Sequence, residues 1–320
     1  MRVCGGWMKH LLRLTANTLI VLGALGCMLA GRAVAGDPPA QKLPSALLVF
    51  PLIEADGIGG DTRIELLNLS GQVQAVECFY VQGDDTCNEI GFFLSLTPYQ
   101  PISWLATQGL NDTFTNSAAP PFFGPGELKC AVIPPENQLD LEFHNTIQGR
   151  ATVYSSSGRT ISYGAVGFQR LSPGDFTGVV SLDGRTYAQC PDKLHFDVLA
   201  DQPTATTPTT SDLILVPCSQ DLLLQVPATI TVQFLIVNEF EQQFSTSISV
   251  TCFNRQALSA ISGSLLRSTL GTDTAHLIIR GSNGPLLGLV VDDVPYQGET
   301  GIAGNEPSFQ GGRSALVVFP

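Results

Sequence analysis

Apolar residues recur at every second position over short runs of this chain, the period of strands that bury one face and show the other to solvent. Thr62, Ile64 and Leu66 alternate with their neighbours up to Asn68, and Ile230, Val232, Phe234 and Ile236 do so up to Asn238. Gly71 ends the first run, and a second run follows to Val76 and Cys78-Phe79; after Asn238, Ile248 and Val250 lead to Cys252-Phe253. Each pair of runs is preceded by the same apolar heptad, SALLVFP at Ser45 to Pro51 and SDLILVP at Ser211 to Pro217. A third copy, SALVVFP, occupies Ser314 to Pro320. Such a heptad arises by chance in roughly one chain of this length in a hundred, so three copies mark internal repetition, with the heptad as first strand of each unit.

Helical periodicity is nearly absent. Its one candidate outside the amino-terminal segment is Ala257 to Leu270, where Leu258, Ile261, Leu265 and Leu266 keep a 3.6 period that Gly263 interrupts. The stretch from Asp201 to Thr210 is dense in Thr and Pro, without apolar period, and reads as an extended linker. Later parts of the repeat align Leu128 to Ile133 with Leu277 to Ile279, and Gly149 with Gly288. The fold class expected is all-β, two antiparallel β-sandwich units in tandem. Their bounds are 45–200 for the first, 201–210 for the linker and 211–313 for the second, with a terminal strand over 314–320. In strand density and alternation each unit resembles immunoglobulin-like β-sandwiches, and the chain resembles exported bacterial proteins built from such units. That resemblance implies architecture and no particular activity.

Residues 1–35 read as a secretory signal peptide: Arg2, Lys9 and Arg13 precede an uncharged apolar core from Leu19 to Ala30, and Ala33-Val34-Ala35 supplies small residues for cleavage. A short linker, 36–44, follows. The destination implied is secreted, periplasmic or cell-surface, with no membrane span after the signal. The full chain has a net charge of −12, and the signal takes four basic residues with it, leaving 12 basic against 28 acidic, or −16. Such a field disfavours nucleic acid and anionic lipid as partners. Six cysteines remain, four before the linker and two after it, which in an oxidising compartment suggests disulfides within units. The pairing expected is Cys78 with Cys87, Cys130 with Cys190, and Cys218 with Cys252.

Candidate chemistry is sparse. On a strand, Asp140, Glu142 and His144 would share one face and offer a carboxylate, carboxylate, imidazole row for a divalent ion. Asp56 to Asp61, with Glu54 before it, could wrap oxygen ligands around Ca²⁺, although a Gly-rich turn explains the same residues. His195 and Asp197 beside Cys190 hold the parts of a thiol nucleophile without any known local signature. There is no Gly-x-Ser-x-Gly elbow, and no cofactor is implied. An aromatic-rich insertion from Phe92 to Phe123 offers Trp104, Phe122 and Phe123 as a binding platform, or as core. The reading reached is a non-enzymatic exported structural or interaction protein whose partner is a protein or glycan at a cell surface. The alternatives are a carbohydrate-binding accessory protein or metal-dependent hydrolase, and a surface-assembly subunit that self-associates through its C-terminal strand.

Overall fold

Nearly every alternating run is a strand. The computed structural model describes residues 43–84, 86–134, 140–156, 158–206, 208–296 and 299–320. The expected signal peptide and residues 36–42 of the linker lie outside the described residues. No helix among them is long and apolar enough to cross a membrane. The strands run β1 (Leu47–Ala55), β2 (Asp61–Asn68), β3 (Gln74–Gln82), β4 (Glu89–Leu96), β5 (Pro101–Leu105), β6 (Leu110–Asp112), β7 (Ser117–Ala119) and β8 (Gly124–Ile133). They continue as β9 (Ile147–Tyr154), β10 (Thr160–Gly164), β11 (Val166–Phe168), β12 (Val179–Leu182), β13 (Cys190–Leu199), β14 (Thr210–Pro217), β15 (Gln220–Asp221) and β16 (Thr229–Asn238). The last are β17 (Gln243–Thr251), β18 (Asn254–Ala257), β19 (Thr274–Gly281), β20 (Leu286–Tyr296), β21 (Glu299–Asn305), β22 (Ser308–Arg313) and β23 (Ala315–Val318).

Five sheets of three or more strands result. Sheet I has the order β11-β1-β8-β3-β4, sheet II β10-β9-β2-β5, sheet III β12-β23-β15, sheet IV β17-β16-β19-β13-β22 and sheet V β18-β14-β20-β21. A hairpin of β6 and β7 stands beside them. Within these sheets pairing is antiparallel, except that β15 runs parallel to β23.

The first two heptads become β1 and β14, and the apolar residues of both are buried on both faces: Leu47, Leu48, Val49 and Phe50 in one, Leu213, Ile214, Leu215 and Val216 in the other. A strand with no polar face has none to give to solvent, so both of its sides must be covered. Leu48 and Phe50 lie over Gly149 of β9, where an added Cβ would stand 2.5 Å from the Phe50 ring. In β14 the side chains divide between two cores. Leu213 and Leu215 pack in one with Phe234, Leu277 and Phe196 of sheet IV. Ile214 and Val216 join Leu47, Phe50 and Leu128 of sheet I in the other. Each fully buried side chain of this size contributes about 1.5–3 kcal/mol relative to exposure.

The chain is therefore all-β, as expected, but its sheets are not two self-contained immunoglobulin-like sandwiches. Sheet V serves both cores, and sheet III joins β12 from the first half of the chain to β15 and β23 from the second. The third heptad differs from the other two, burying Ala315, Val317 and Phe319 while Leu316 is exposed. Phe319 packs edge-on against Phe79 and Phe176, at 5.8 and 6.1 Å between ring centroids.

The repeat holds for two strands and then diverges. After β2 the chain crosses to sheet I as β3, whereas after β16 it turns back in sheet IV as β17, with Val237 opposite Gln243. β8 pairs with β1 as β20 pairs with β14, and β9 pairs with β2 as β19 pairs with β16. That reverses the expected alignment of Leu128 to Ile133 with Leu277 to Ile279. What both units share is the asparagine. Asn68 donates to the carbonyls of Gln72 and Thr97 and accepts from the Ser70 amide. Asn238 donates to the Leu270 carbonyl and accepts from the Phe240 and Gln242 amides. Each is a buried staple that adds side-chain hydrogen bonds to the backbone bonds of its turn.

The helical candidate is three single turns, α1 (Leu258–Ile261), a 3-10 turn (Gly263–Leu265) and α2 (Arg267–Leu270), broken where Gly263 breaks the period. In the Thr/Pro stretch, the buried carboxylate of Asp201 accepts from the amides of Ser211 and Ser259, both at 2.8 Å. Gln202 bridges to Thr209 just before β14 begins.

All three expected disulfide pairings are replaced by others. Cys78 joins Cys130, directly opposite it on β3 and β8 with Cα atoms 4.1 Å apart. Cys87 joins Cys252, and Cys190 joins Cys218. Even counts on either side of a proposed linker do not restrict pairing once the two sides share a core, and the last two bonds cross between them. Next to the Cys87–Cys252 bond, Gly83 admits the Phe253 ring, which a Cβ there would meet at 2.4 Å.

Candidate binding face

Most residues singled out in the sequence turn out to be structural. Trp104 is buried, and its indole N–H donates to the Tyr80 hydroxyl at 2.7 Å. Phe122 is buried and stacks on Tyr80 at 4.7 Å, while Phe92 meets Trp104 edge-on. Burial pushes the Tyr80 phenol far above its ordinary pKa, so it stays a neutral partner to Trp104. The platform reading is thus corrected: Trp104 and Phe122 fill the core, and of the three only Phe123 is exposed.

Asp140, Glu142 and His144 do not lie on a strand. Leu141–Phe143 is a 3-10 turn with Asp140 and His144 as its caps. Asp140 and Glu142 face solvent, while His144 is buried with Nδ1 3.2 Å from the Arg170 guanidinium. Without strand alternation the shared face is lost. No group of three or more His, Cys, Asp or Glu side chains among the described residues is placed to hold a metal. In the Gly-rich turn the Asp56 carboxylate accepts from the amides of Ile58 and Gly60, which hold its pKa below the usual range. Asp61 is committed to Thr62 and Thr107. Cys190 is bonded to Cys218 and offers no thiol beside His195. Instead His195 belongs to a surface row the sequence did not reveal, in which Asp197, His276, His195 and Gln310 follow one another at 2.8, 3.1 and 3.0 Å. That row ends on an amide and contains no nucleophile.

A charged concavity lies on the outer face of sheet II. In β2, Ile64 and Leu66 point into the core, so Arg63, Glu65 and Leu67 point out. Glu65 receives Arg63 on one oxygen at 3.2 Å and Arg150 of β9 on the other at 3.1 Å. Arg63 also donates to the Ser103 hydroxyl of β5 at 3.2 Å. A groove of about 650 Å³ runs here, lined by these residues with Leu67, Pro101, Ile102 and Gln148. A second hollow of about 560 Å³ shares Arg63 and Ser103 and extends to Tyr154, Gln108 and Asp61. Two guanidinium groups meet one carboxylate here, with the Glu306 carboxylate accepting from the Gly164 amide at the groove's edge and Asp61 in the adjoining hollow. The signal of this face in the sequence was the odd-numbered partners of an even-numbered core run, which apolar periodicity passes over.

Other polar clusters are half-buried or buried. Arg255 of β18 ties Glu54 of β1 to Asp212 of β14, each at 2.9 Å. Ser211, the first heptad residue of β14, donates its hydroxyl to Asp292 of β20, whose pKa burial raises. On β8, Lys129 and Glu127 are both fully buried and in contact, and Gln220 and Glu89 complete their surroundings.

No protein-family model matches this chain, and no curated protein matches it. Among solved structures, the crystal structure of Thermotoga maritima 1070 is similar at 9% identity and a TM-score of 0.29, over 39% of this chain and 98% of that one. A likeness at that score carries no argument. Fold and site together define a class only: an all-β, disulfide-linked protein with two arginines and a glutamate on one sheet face.

Proposed function

We propose that this protein is a non-enzymatic, exported binding module that holds a carboxylate-bearing cell-surface glycan on the outer face of sheet II. One observation carries the reading: Arg63, Arg150, Glu65 and Ser103 converge on a groove of about 650 Å³, within the size range of ligand sites. A guanidinium fork matches a carboxylate with two parallel hydrogen bonds, so Arg63 and Arg150 suit an acidic sugar. Glu65 and Ser103 accept and donate to ring hydroxyls, while Leu67, Pro101 and Ile102 offer apolar surface to the C–H faces of a sugar. The three disulfide pairs support an oxidising compartment, in keeping with the amino-terminal export signal expected from the sequence. Because β23 is hydrogen-bonded on both edges within the chain, it favours this reading over donation of the C-terminal strand to a second molecule.

Calorimetric titration with an oligosaccharide of uronic acids tests the proposal. Binding is expected, weakened at least tenfold by Arg150→Ala and abolished by adding Arg63→Ala, with the neutral analogue of the same linkage bound far more weakly. Equal affinity for the double variant, or no binding by the wild type, would contradict it.

A further inference from the structure

Lysine is seldom buried without a partner, and a buried ion pair regains only part of what its two charges lose in leaving water. Lys129, in the middle of β8, is 0% exposed, as is Glu127 two residues before it on the same face. The Lys129 Nζ touches Glu127 Oε1 and lies 2.5 Å from Oε1 of Gln220 on β15. The Gln220 Nε2 donates in turn to Glu89 Oε1 of β4 at 2.9 Å. Glu127 Oε2 and Glu89 Oε2 are buried with no hydrogen-bond partner. An amine, the carboxamide it touches and two carboxyl groups are thus enclosed together.

We propose that Lys129 and Gln220 become joined by an intramolecular isopeptide bond formed by the groups of this site. Glu127 takes one proton from the Lys129 ammonium, and the neutral amine attacks Cδ of Gln220. The second Nζ proton passes to Nε2, which Glu89 holds in place. The Cδ–Nε2 bond then breaks, ammonia leaves, and the Nζ–Cδ bond remains. Charge balances, since the ion pair becomes a neutral amide and a protonated Glu127, and no oxidant or co-reactant is consumed. Burial already drives the carboxyls of Glu127 and Glu89 toward their protonated forms. Amide aminolysis is slow in water, but fixed contact between the groups supplies effective molarities on the order of 10⁵ M or more, and a positioned carboxylate adds proton transfer. The product removes a buried ammonium and ties β8 to β15, a covalent link between the chain's halves beside the two crossing disulfides.

Mass spectrometry of the folded, disulfide-reduced, alkylated and trypsin-digested protein decides the matter. The expected product is a branched peptide containing Lys129 and Gln220, lighter by one ammonia than its two components, with no cleavage after Lys129. Recovery of both peptides unlinked, with Lys129 cleaved, would overturn the proposal whatever the variants do. Glu127→Gln, which keeps the side chain's shape, is expected to give the unlinked peptides. A linked Glu127→Gln product would overturn the role given to that carboxylate.

Discussion

Single side chains carry the parts of this fold that repeat. Asn68 and Asn238 add buried side-chain hydrogen bonds to the turns that follow β2 and β16, so replacing either leaves buried carbonyls and amides unsatisfied. Asn68→Ala and Asn238→Ala are each expected to cost about 2–3 kcal/mol in denaturant unfolding, with little change in the slope. Glu77 shows a residue-scale effect of pH. On β3 it is 5% exposed, and burial raises its pKa to about 6. The folded state then holds this proton more tightly than the unfolded chain, so the contribution is present below about 4.5 and is lost as pH rises through about 6. Stability should fall by about 1–2 kcal/mol across that window. Glu77→Gln should flatten that part of the profile, and an unchanged pH profile in the variant would refute the assignment. The asparagines were legible as repeated letters, but the glutamate was not, because alternation shows that it points away from Cys78 without showing what covers it.

At the scale of elements, period-two alternation located strands well and their partners poorly. It found β2, β3, β16 and β17, since one buried face writes itself into the sequence. It could not show that β3 crosses to another sheet, where every residue from Val76 to Val81 is buried, while β17 turns back with only Val250 buried, because alternation does not name a strand's partner. Nor could it distinguish a strand from the 3-10 turn at Leu141–Phe143, where the apparent row of Asp140, Glu142 and His144 lost its common face. The third heptad is where element and stability meet. Phe319 is buried against Phe79 and Phe176, so Phe319→Ala is expected to destabilise the whole fold by about 3–5 kcal/mol in thermal or denaturant unfolding. A variant that keeps its stability but changes only its oligomeric state would favour strand donation instead. Arg63, Glu65 and Arg150 were readable in hindsight as the outward members of β2 and β9, yet their convergence depends on β2 pairing with β9, which is a tertiary fact.

Across the whole molecule, the two halves are expected to unfold as one body, because sheet V serves both cores and two disulfides bridge them. Non-reducing peptide mapping should recover Cys78 with Cys130, Cys87 with Cys252 and Cys190 with Cys218. The Cys87–Cys252 bond spans 165 residues, a closure worth about 5 kcal/mol in the chain-entropy account. Cleavage in the 201–210 stretch should therefore leave the halves covalently joined without reductant, and after reduction under denaturing conditions they should stay joined only through the Lys129–Gln220 bond. The claim that matters most is the binding face, and mapping amide chemical shifts during titration with a uronic-acid oligosaccharide tests it most directly. Saturable shifts are expected on β2, β5 and β9 around Arg63, Ser103 and Arg150, lost in the Arg63→Ala, Arg150→Ala double variant. Shifts centred on another sheet, or the same shifts in the double variant, would contradict it.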